Sequence, residues 1–316
     1  MKRVTILIPC YNEEESLPLL YEKLSEIADT LPHYSWEFLF VNDGSRDNTL
    51  GVIKEFRQKD NRISYVDLSR NFGKEKAMLA GFDYAKGDCM VIMDADLQHP
   101  PTLIPDMLKL WENGFQDVYA HRITRGKESW IRKKLSLLYY KLLQKTTRIE
   151  ILENVGDFRL LDRKCINALK QLRESERYTK GLYCWIGFKK VKIDFEQGDR
   201  VAGASSFNFF RLLSLAIEGI TSYTIAPLRI ATVLGFIVSI LSFVYMCFFF
   251  VKTLLVGDSV QGFPTLVILM LFLGGIQLLA LGIIGEYLGR IFQETKKRPV
   301  YLAQEYVASN DMDNDV

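Results

Sequence analysis

Short apolar runs recur along the chain up to about Asp199, each followed by a polar cluster and then by a stretch of mixed, helix-like pattern. Val4 to Pro9 reads as a first strand and Glu14 to Thr30 as a helix. Glu37 to Asn42 reads as a second strand, followed by a helix through Gln58 that Asp47 or Asn48 caps. Ile63 to Asp67 is a third strand, Glu75 to Ala85 a helix, and Cys89 to Met93 a fourth strand. Strands alternating with helices predict an α/β domain with a mostly parallel sheet, whose functional groups gather at the strands' C-terminal ends. Polar residues fall at those ends: Tyr11-Asn12-Glu13, Asp43-Gly44-Ser45, Ser69-Arg70-Asn71-Phe72-Gly73-Lys74, and Asp94-Ala95-Asp96.

Beyond Arg229 the pattern changes. Ile230 to Val251 and Phe263 to Gly285 carry no charge, and Gln277 is their one strongly polar side chain. Roughly 20 apolar residues cross a bilayer as a helix, and both runs reach that length. The linker Leu254 to Gly262 is short and contains Gly257, Asp258 and Gly262, so the spans form a hairpin. Arg211 and Arg229 precede the first span and Arg290, Lys296, Lys297 and Arg298 follow the second, against Lys252 alone at the hairpin end. That asymmetry predicts a multi-pass plasma (inner) membrane protein with both termini cytoplasmic. Residues 207–220 suit either a helix lying in the headgroup region or a core helix, and residues 130–141 either a membrane-resting or a plain surface helix. The expected organisation is a catalytic domain over 1–205, interfacial helices over 206–228, two transmembrane helices over 229–290, and a cytoplasmic tail over 291–316.

Composition narrows the chemistry. Lys and Arg number 40 against 38 Asp and Glu, so a net charge of +2 gives no nucleic-acid footprint. The mean hydropathy of +0.03 averages a charged globular part and an apolar one. Cys10, Cys89, Cys165, Cys184 and Cys247 are scattered without a C-x-x-C pair, which reads as reduced thiols in a cytoplasmic setting. The N-terminal apolar run meets Asn12-Glu13-Glu14-Glu15 with no cleavage site and does not read as a signal peptide. Neither a G-x-G-x-x-G fingerprint nor a G-K-[ST] loop occurs, so a nucleotide would be held by carboxylates and a metal. If the fourth strand stays extended, Asp94, Asp96 and Gln98 point to one side. Two carboxylates and an amide oxygen suit Mg2+ or Mn2+. His99 falls out of that phase and reads as a supporting or structural residue.

The ordered motifs resemble a known family. Ile8-Pro9-Cys10-Tyr11-Asn12-Glu13, Val41-Asn42-Asp43-Gly44-Ser45, Ser69 to Glu75 and Asp94-Ala95-Asp96-Leu97-Gln98-His99-Pro100-Pro101 resemble the family 2, GT-A glycosyltransferases of the dolichyl-phosphate mannose synthase group. Gly156-Asp157-Phe158-Arg159-Leu160 and Gly285-Glu286-Tyr287-Leu288-Gly289-Arg290 resemble its bacterial polyprenyl-phosphate (bactoprenol) branch with two C-terminal spans. The resemblance implies that Pro9, Tyr11, Glu13 and Asp43 hold the nucleoside, with Asp43 at the base and Asp94 near the ribose and diphosphate. It implies Asp96 and Gln98 as metal ligands, Asp157 as the catalytic aspartate, and Arg122, Arg132, Ser136 and Arg200 as receivers of the lipid phosphate. Ser206 stands where relatives often carry Lys. The implied reaction is inverting transfer of one sugar, glucose or N-acetylglucosamine foremost, from a nucleotide diphosphate donor (a UDP-sugar) to undecaprenyl phosphate. A homo-oligomer is also implied, with Gly274, Gly275 and Gly282 as sites where membrane helices pack. A processive polysaccharide synthase would normally carry Q-x-x-R-W and more spans. A non-catalytic scaffold would have no use for Asp94, Asp96, Gln98 and Asp157 together.

Overall fold

The computed structural model describes residues 1–123, 155–175, 177–195, 226–256 and 262–310. The chain divides into two compact units, Met1–Phe207 with Arg298–Val316, and Asn208–Lys297.

In the first unit, β1 (Lys2–Cys10), β2 (Tyr34–Asn42), β3 (Ile63–Leu68) and β4 (Cys89–Ile92) alternate with α1 (Leu17–Thr30), α2 (Thr49–Lys59) and α3 (Lys74–Tyr84). These four strands run parallel, β1 pairing with β2 and β4, and β2 with β3. After α4 (Ile104–Glu112) come β5 (Asp117–Arg122), β6 (Val155–Asp162), α5 (Arg163–Gln171), α6 (Thr179–Trp185) and β7 (Lys190–Phe195). β6 runs antiparallel to both β4 and β5, while β5 and β7 are parallel. With β8 (Ala303–Val307) at one edge, the eight-stranded order is β7-β5-β6-β4-β1-β2-β3-β8.

The near-continuous apolar runs of β1 to β4 are explained by cover on both faces of the sheet. Ile6, Ile8, Phe38, Phe40 and Val91 pack with Leu17, Leu20, Ile53 and Met107 of α1, α2 and α4. The alternating residues Leu7, Leu39, Val41, Met90 and Ile92 pack with Ala77 to Ala80 of α3 and with Ile166 and Leu169 of α5. Gly81 lets α3 lie close on Leu7, because a Cβ there would collide with the Leu7 side chain. Asp47 ties down the start of α2, accepting the Thr49 amide at 3.1 Å and the Thr49 hydroxyl at 2.5 Å. Cys10, Cys89 and Cys165 are buried free thiols, and burial pushes all three up in pKa.

Four strands, β5 to β8, have no counterpart among those the sequence predicts. β8 (Ala303–Val307) lies antiparallel on β3, with Tyr65 opposite Val307. Glu305 accepts from the Tyr65 hydroxyl at 2.9 Å and from Lys54 at 2.7 Å, Tyr306 packs on Tyr84, and the Tyr301 hydroxyl donates to Asp83 at 2.7 Å. The chain that follows the apolar helices therefore closes one edge of the sheet.

The second unit contains α7 (Ala226–Val256) and α8 (Phe263–Thr295), which contact each other. Phe272–Thr295 is long and apolar enough to cross a membrane, and Ala231–Tyr245 is a shorter apolar stretch. Large apolar side chains such as Phe236, Leu241, Phe243 and Leu278 stand exposed on these helices, the surface a hydrocarbon environment would cover. The segments read as interfacial or membrane-resting, 207–220 and 130–141, lie outside the described residues.

Candidate active site

The loops after β1, β2 and β3 are stitched together at the C-terminal edge of the sheet. Asn12, at φ 56°, donates its amide to the Ser45 hydroxyl at 3.0 Å and accepts the Arg46 amide at 2.8 Å. The Glu13 amide donates to the Thr49 hydroxyl at 2.8 Å, and its carboxylate accepts the Ser16 hydroxyl at 2.6 Å. Burial pushes Glu13 above its ordinary pKa, with Asp96 and Asp94 adding to the effect against the Ser16 bond. Asp43 is buried, and its two oxygens accept the Phe72 and Gly73 amides at 2.7 and 2.9 Å. It therefore fixes the loop that leads into α3, each oxygen keeping a second lone pair for a ligand. Pro9 is half-buried between the buried Ile8 and Cys10 of β1, and Tyr11 stands 40% exposed just past the strand.

β4 and β6 assemble the other half of the site. Ile92 pairs with Arg159 in an antiparallel register. Just past the end of that pairing, Asp94 and Asp157 share the ammonium of Lys74. The strand itself stops at Ile92 and a turn follows, with Leu97 at φ 60°. The extended geometry expected through Gln98 is thus replaced by a turn, in which Asp96 accepts the Gln98 amide at 3.2 Å. The phase argument that set His99 apart fails for the same reason. Ligand atoms of Asp94, Asp96 and His99 lie within 4.8 Å of one another. His99 is 2% exposed, stacked on Phe158 with ring centroids 4.9 Å apart, and neither ring nitrogen has a hydrogen-bond partner among the described residues. Burial holds its pKa below the usual histidine value, with Arg122 adding to that and Asp94 opposing it, so the ring stays neutral. The two carboxylates suit Mg2+ or Mn2+, and the neutral imidazole beside them is a donor that the transition metal Mn2+ accepts more readily than the harder Mg2+.

Lys74, the first residue of α3, spans the gap between the strands. Its Nζ lies 2.5 Å from Asp94 Oδ1 and 2.8 Å from Asp157 Oδ2. Burial works against the ammonium, but Asp157 and Asp94 outweigh it and raise its pKa. Asp157 is buried and its Oδ1 has no partner among the described residues. Burial alone would raise its pKa; Lys74 and Lys180 reverse that and hold it below the usual carboxylate range. A Cβ at Gly156 would meet Arg122 Nη2 at 3.6 Å and His99 Nε2 at 3.8 Å, so Arg122, the last residue of β5, reaches the same place. Arg132, Ser136 and Arg200 lie outside the described residues.

Behind this cluster sits a second buried layer. Arg159 is 1% exposed, contacts Asp117 at 3.0 Å and stacks 3.7 Å above the Tyr183 ring. Glu75 accepts the Thr179 amide at 2.9 Å and the Thr179 hydroxyl, fixing α6 against the start of α3. Lys74 and Glu75 close the motif that follows the third strand, but no role followed for either from the sequence, since charged residues opening a helix read as solvated surface.

The sequence profile of glycosyl transferase family 2 matches residues 5–169, which run from β1 through β6 and include Asp43, Asp94 and Asp157. The chain belongs to glycosyl transferase family 2. The profile of the GtrB C-terminal hairpin matches residues 226–291, the apolar helices. The bactoprenol glucosyl transferase derived from the SfII prophage of Shigella flexneri is 39% identical over 303 residues, spanning 96% of this chain and 98% of the relative. The uncharacterized glycosyltransferase sll0501 of Synechocystis is 43% identical over 302 residues, spanning 96% and 95%. Among solved structures, glucosyl-3-phosphoglycerate synthase from Mycobacterium tuberculosis, in complex with Mn2+, UDP-glucose and phosphoglyceric acid, is 17% identical. It covers 68% of this chain and 76% of its own, with a TM-score of 0.45. This protein is a glycosyltransferase.

Proposed function

We propose that this enzyme transfers one sugar, glucose foremost and N-acetylglucosamine next, from a UDP-sugar to undecaprenyl phosphate at the cytoplasmic face of the membrane. The observation that carries the reading is the pairing of β6 against β4, which sets the ionised Asp157 beside the Asp94–Asp96–His99 group. Near full-length similarity to proteins named bactoprenol glucosyl transferases supports the acceptor and favours glucose.

Pro9, Tyr11, Glu13 and Asp43 hold the nucleoside in this scheme, and Asp94 faces the ribose and diphosphate. Asp96, Gln98 and His99 would hold Mg2+ or Mn2+, whose charge neutralises the departing diphosphate. The acceptor is a phosphate monoester with a second pKa of about 6, so at neutral pH its oxygen is already a nucleophile and needs placement more than deprotonation. Arg122 supplies a guanidinium for that placement, together with Arg132, Ser136 and Arg200. The acceptor oxygen forms a bond to the anomeric carbon as the bond from that carbon to the diphosphate oxygen breaks, inverting the centre and releasing UDP. Asp157 orients the acceptor and stabilises positive charge developing at the anomeric carbon.

The two C-terminal helices anchor the catalytic domain as a hairpin in the plasma membrane, with both termini cytoplasmic as the flanking cations require. The small residues Gly274, Gly275 and Gly282 serve helix packing in a homo-oligomer. Asp157→Asn tests the site directly. It should lower kcat by at least about 100-fold with UDP affinity unchanged, since it removes charge from the reacting centre alone. Near-wild-type turnover in that variant would remove Asp157 from the reaction.

A further inference from the structure

Lys74 touches both halves of the proposed reaction, and neither half has yet given it a task. Its backbone is placed by Gly73, at φ 96°, and by the grip of Asp43 on the Phe72 and Gly73 amides. Its ammonium contacts Asp94 on the metal and diphosphate side and Asp157 on the acceptor side. A lysine has three N–H donors, and two are spent on these contacts. The third has no partner among the described residues. The side chain is 42% exposed while that of Asp157 is 9% exposed, so the cation keeps an open side above a covered carboxylate.

The surroundings point the same way. Asp157 Oδ1, Arg122 Nε and both His99 ring nitrogens are buried without partners among the described residues. Buried polar atoms are ordinarily satisfied, so a cluster of orphans around one cation marks where a polar ligand sits. Asp94, Asp96 and Asp157 bring three carboxylates to a place where a phosphate must react, and an anion enters such a place only against a positive charge. A lysine whose only task was to tie β4 to β6 would be closed off by its partners.

We infer that Lys74 is a phosphate-binding residue of the transfer site. Its third N–H donates to a phosphate oxygen lying between Asp94 and Asp157. This inference rests on the reading of Asp157 as the acceptor-side residue. Two sources share the chemistry, the donor's diphosphate and the lipid's phosphate monoester, and binding measurements separate them. Full-length protein in nanodiscs, with Mn2+, would be titrated with uridine and with UDP, and undecaprenyl phosphate binding would be followed by native mass spectrometry.

Lys74→Met should keep the affinity for uridine and weaken UDP or undecaprenyl phosphate by about tenfold or more, the scale of a hydrogen bond to a charged group. A loss for UDP assigns the contact to the donor, and a loss for the lipid assigns it to the acceptor. Lys74→Arg should recover most of the lost affinity. Unchanged binding of both phosphates by Lys74→Met would overturn the inference, and so would equal weakening of uridine and UDP, which would make Lys74 structural. All three measurements are of binding. Failure of the wild-type enzyme to transfer sugar would count against the proposed function and would leave the Lys74 result readable.

Discussion

Asp157 is buried and still ionised, because Lys74 and Lys180 outweigh the penalty of burial. The sign follows directly: a carboxyl with a depressed pKa keeps its charge through neutral pH and loses it only as pH falls through that depressed value. The acceptor phosphate gains its second proton near pH 6. The acidic limb of kcat/KM for undecaprenyl phosphate should therefore fall near pH 6 and belong to the lipid. Asp157→Asn should lower the plateau and leave that limb in place, and a limb that moved with the substitution would mean that Asp157 carries the proton. His99 permits a second test. His99→Ala should weaken Mn2+ binding about tenfold or more when read by electron paramagnetic resonance, and an unchanged affinity would take His99 out of the ligand set. Asp94 and Asp96 were legible in the sequence because they end an apolar run. His99 was not, because strand alternation was extended past Ile92, where the chain turns. The neighbourhood of Asp157 and Asp94 depends on a strand pairing between distant segments, which no local pattern encodes.

At the scale of elements, apolar runs placed β1 to β4 and their helices within about three residues of their observed ends, because strands covered on both faces must be apolar throughout. β8 escaped for the opposite reason. Ala303-Gln304-Glu305-Tyr306-Val307 sits at a sheet edge with its first two residues exposed, so its hydrophobic signal is weak. Deleting the chain after Tyr301 would bare the backbone edge of β3. Thermal unfolding should then shift down by about 2–4 °C per kcal/mol lost, and an unchanged melting curve would show that β8 adds nothing to the sheet. Gly44 tests the loop that Asp43 holds. It sits at φ 64°, and a Cβ there would strike the Arg70 and Asn71 backbone. Gly44→Ala should cost about 1–2 kcal/mol for the left-handed backbone and about 1–3 kcal/mol for the collision. UDP affinity should fall with stability, because the displaced loop is held by Asp43, the residue proposed to hold the nucleoside.

At the scale of the whole molecule, a catalytic sheet is interrupted by an apolar hairpin and then completed by the chain that returns from it. The hairpin was legible from length and apolarity alone, since few soluble helices stay uncharged for so long. Its orientation rests on the flanking cations. The protein should stay with membranes through an alkaline carbonate wash, and its release into the supernatant would contradict the anchoring helices. Residue and element serve one claim, that a single sugar is moved onto a lipid phosphate. The most direct measurement is mass spectrometry of the lipid formed when the purified full-length protein receives undecaprenyl phosphate, Mg2+ or Mn2+, and a panel of nucleotide sugars in turn. One hexose added to undecaprenyl phosphate, from UDP-glucose foremost, is the predicted product. A ladder of sugars, or unmodified lipid with every donor while UDP still binds, would contradict it.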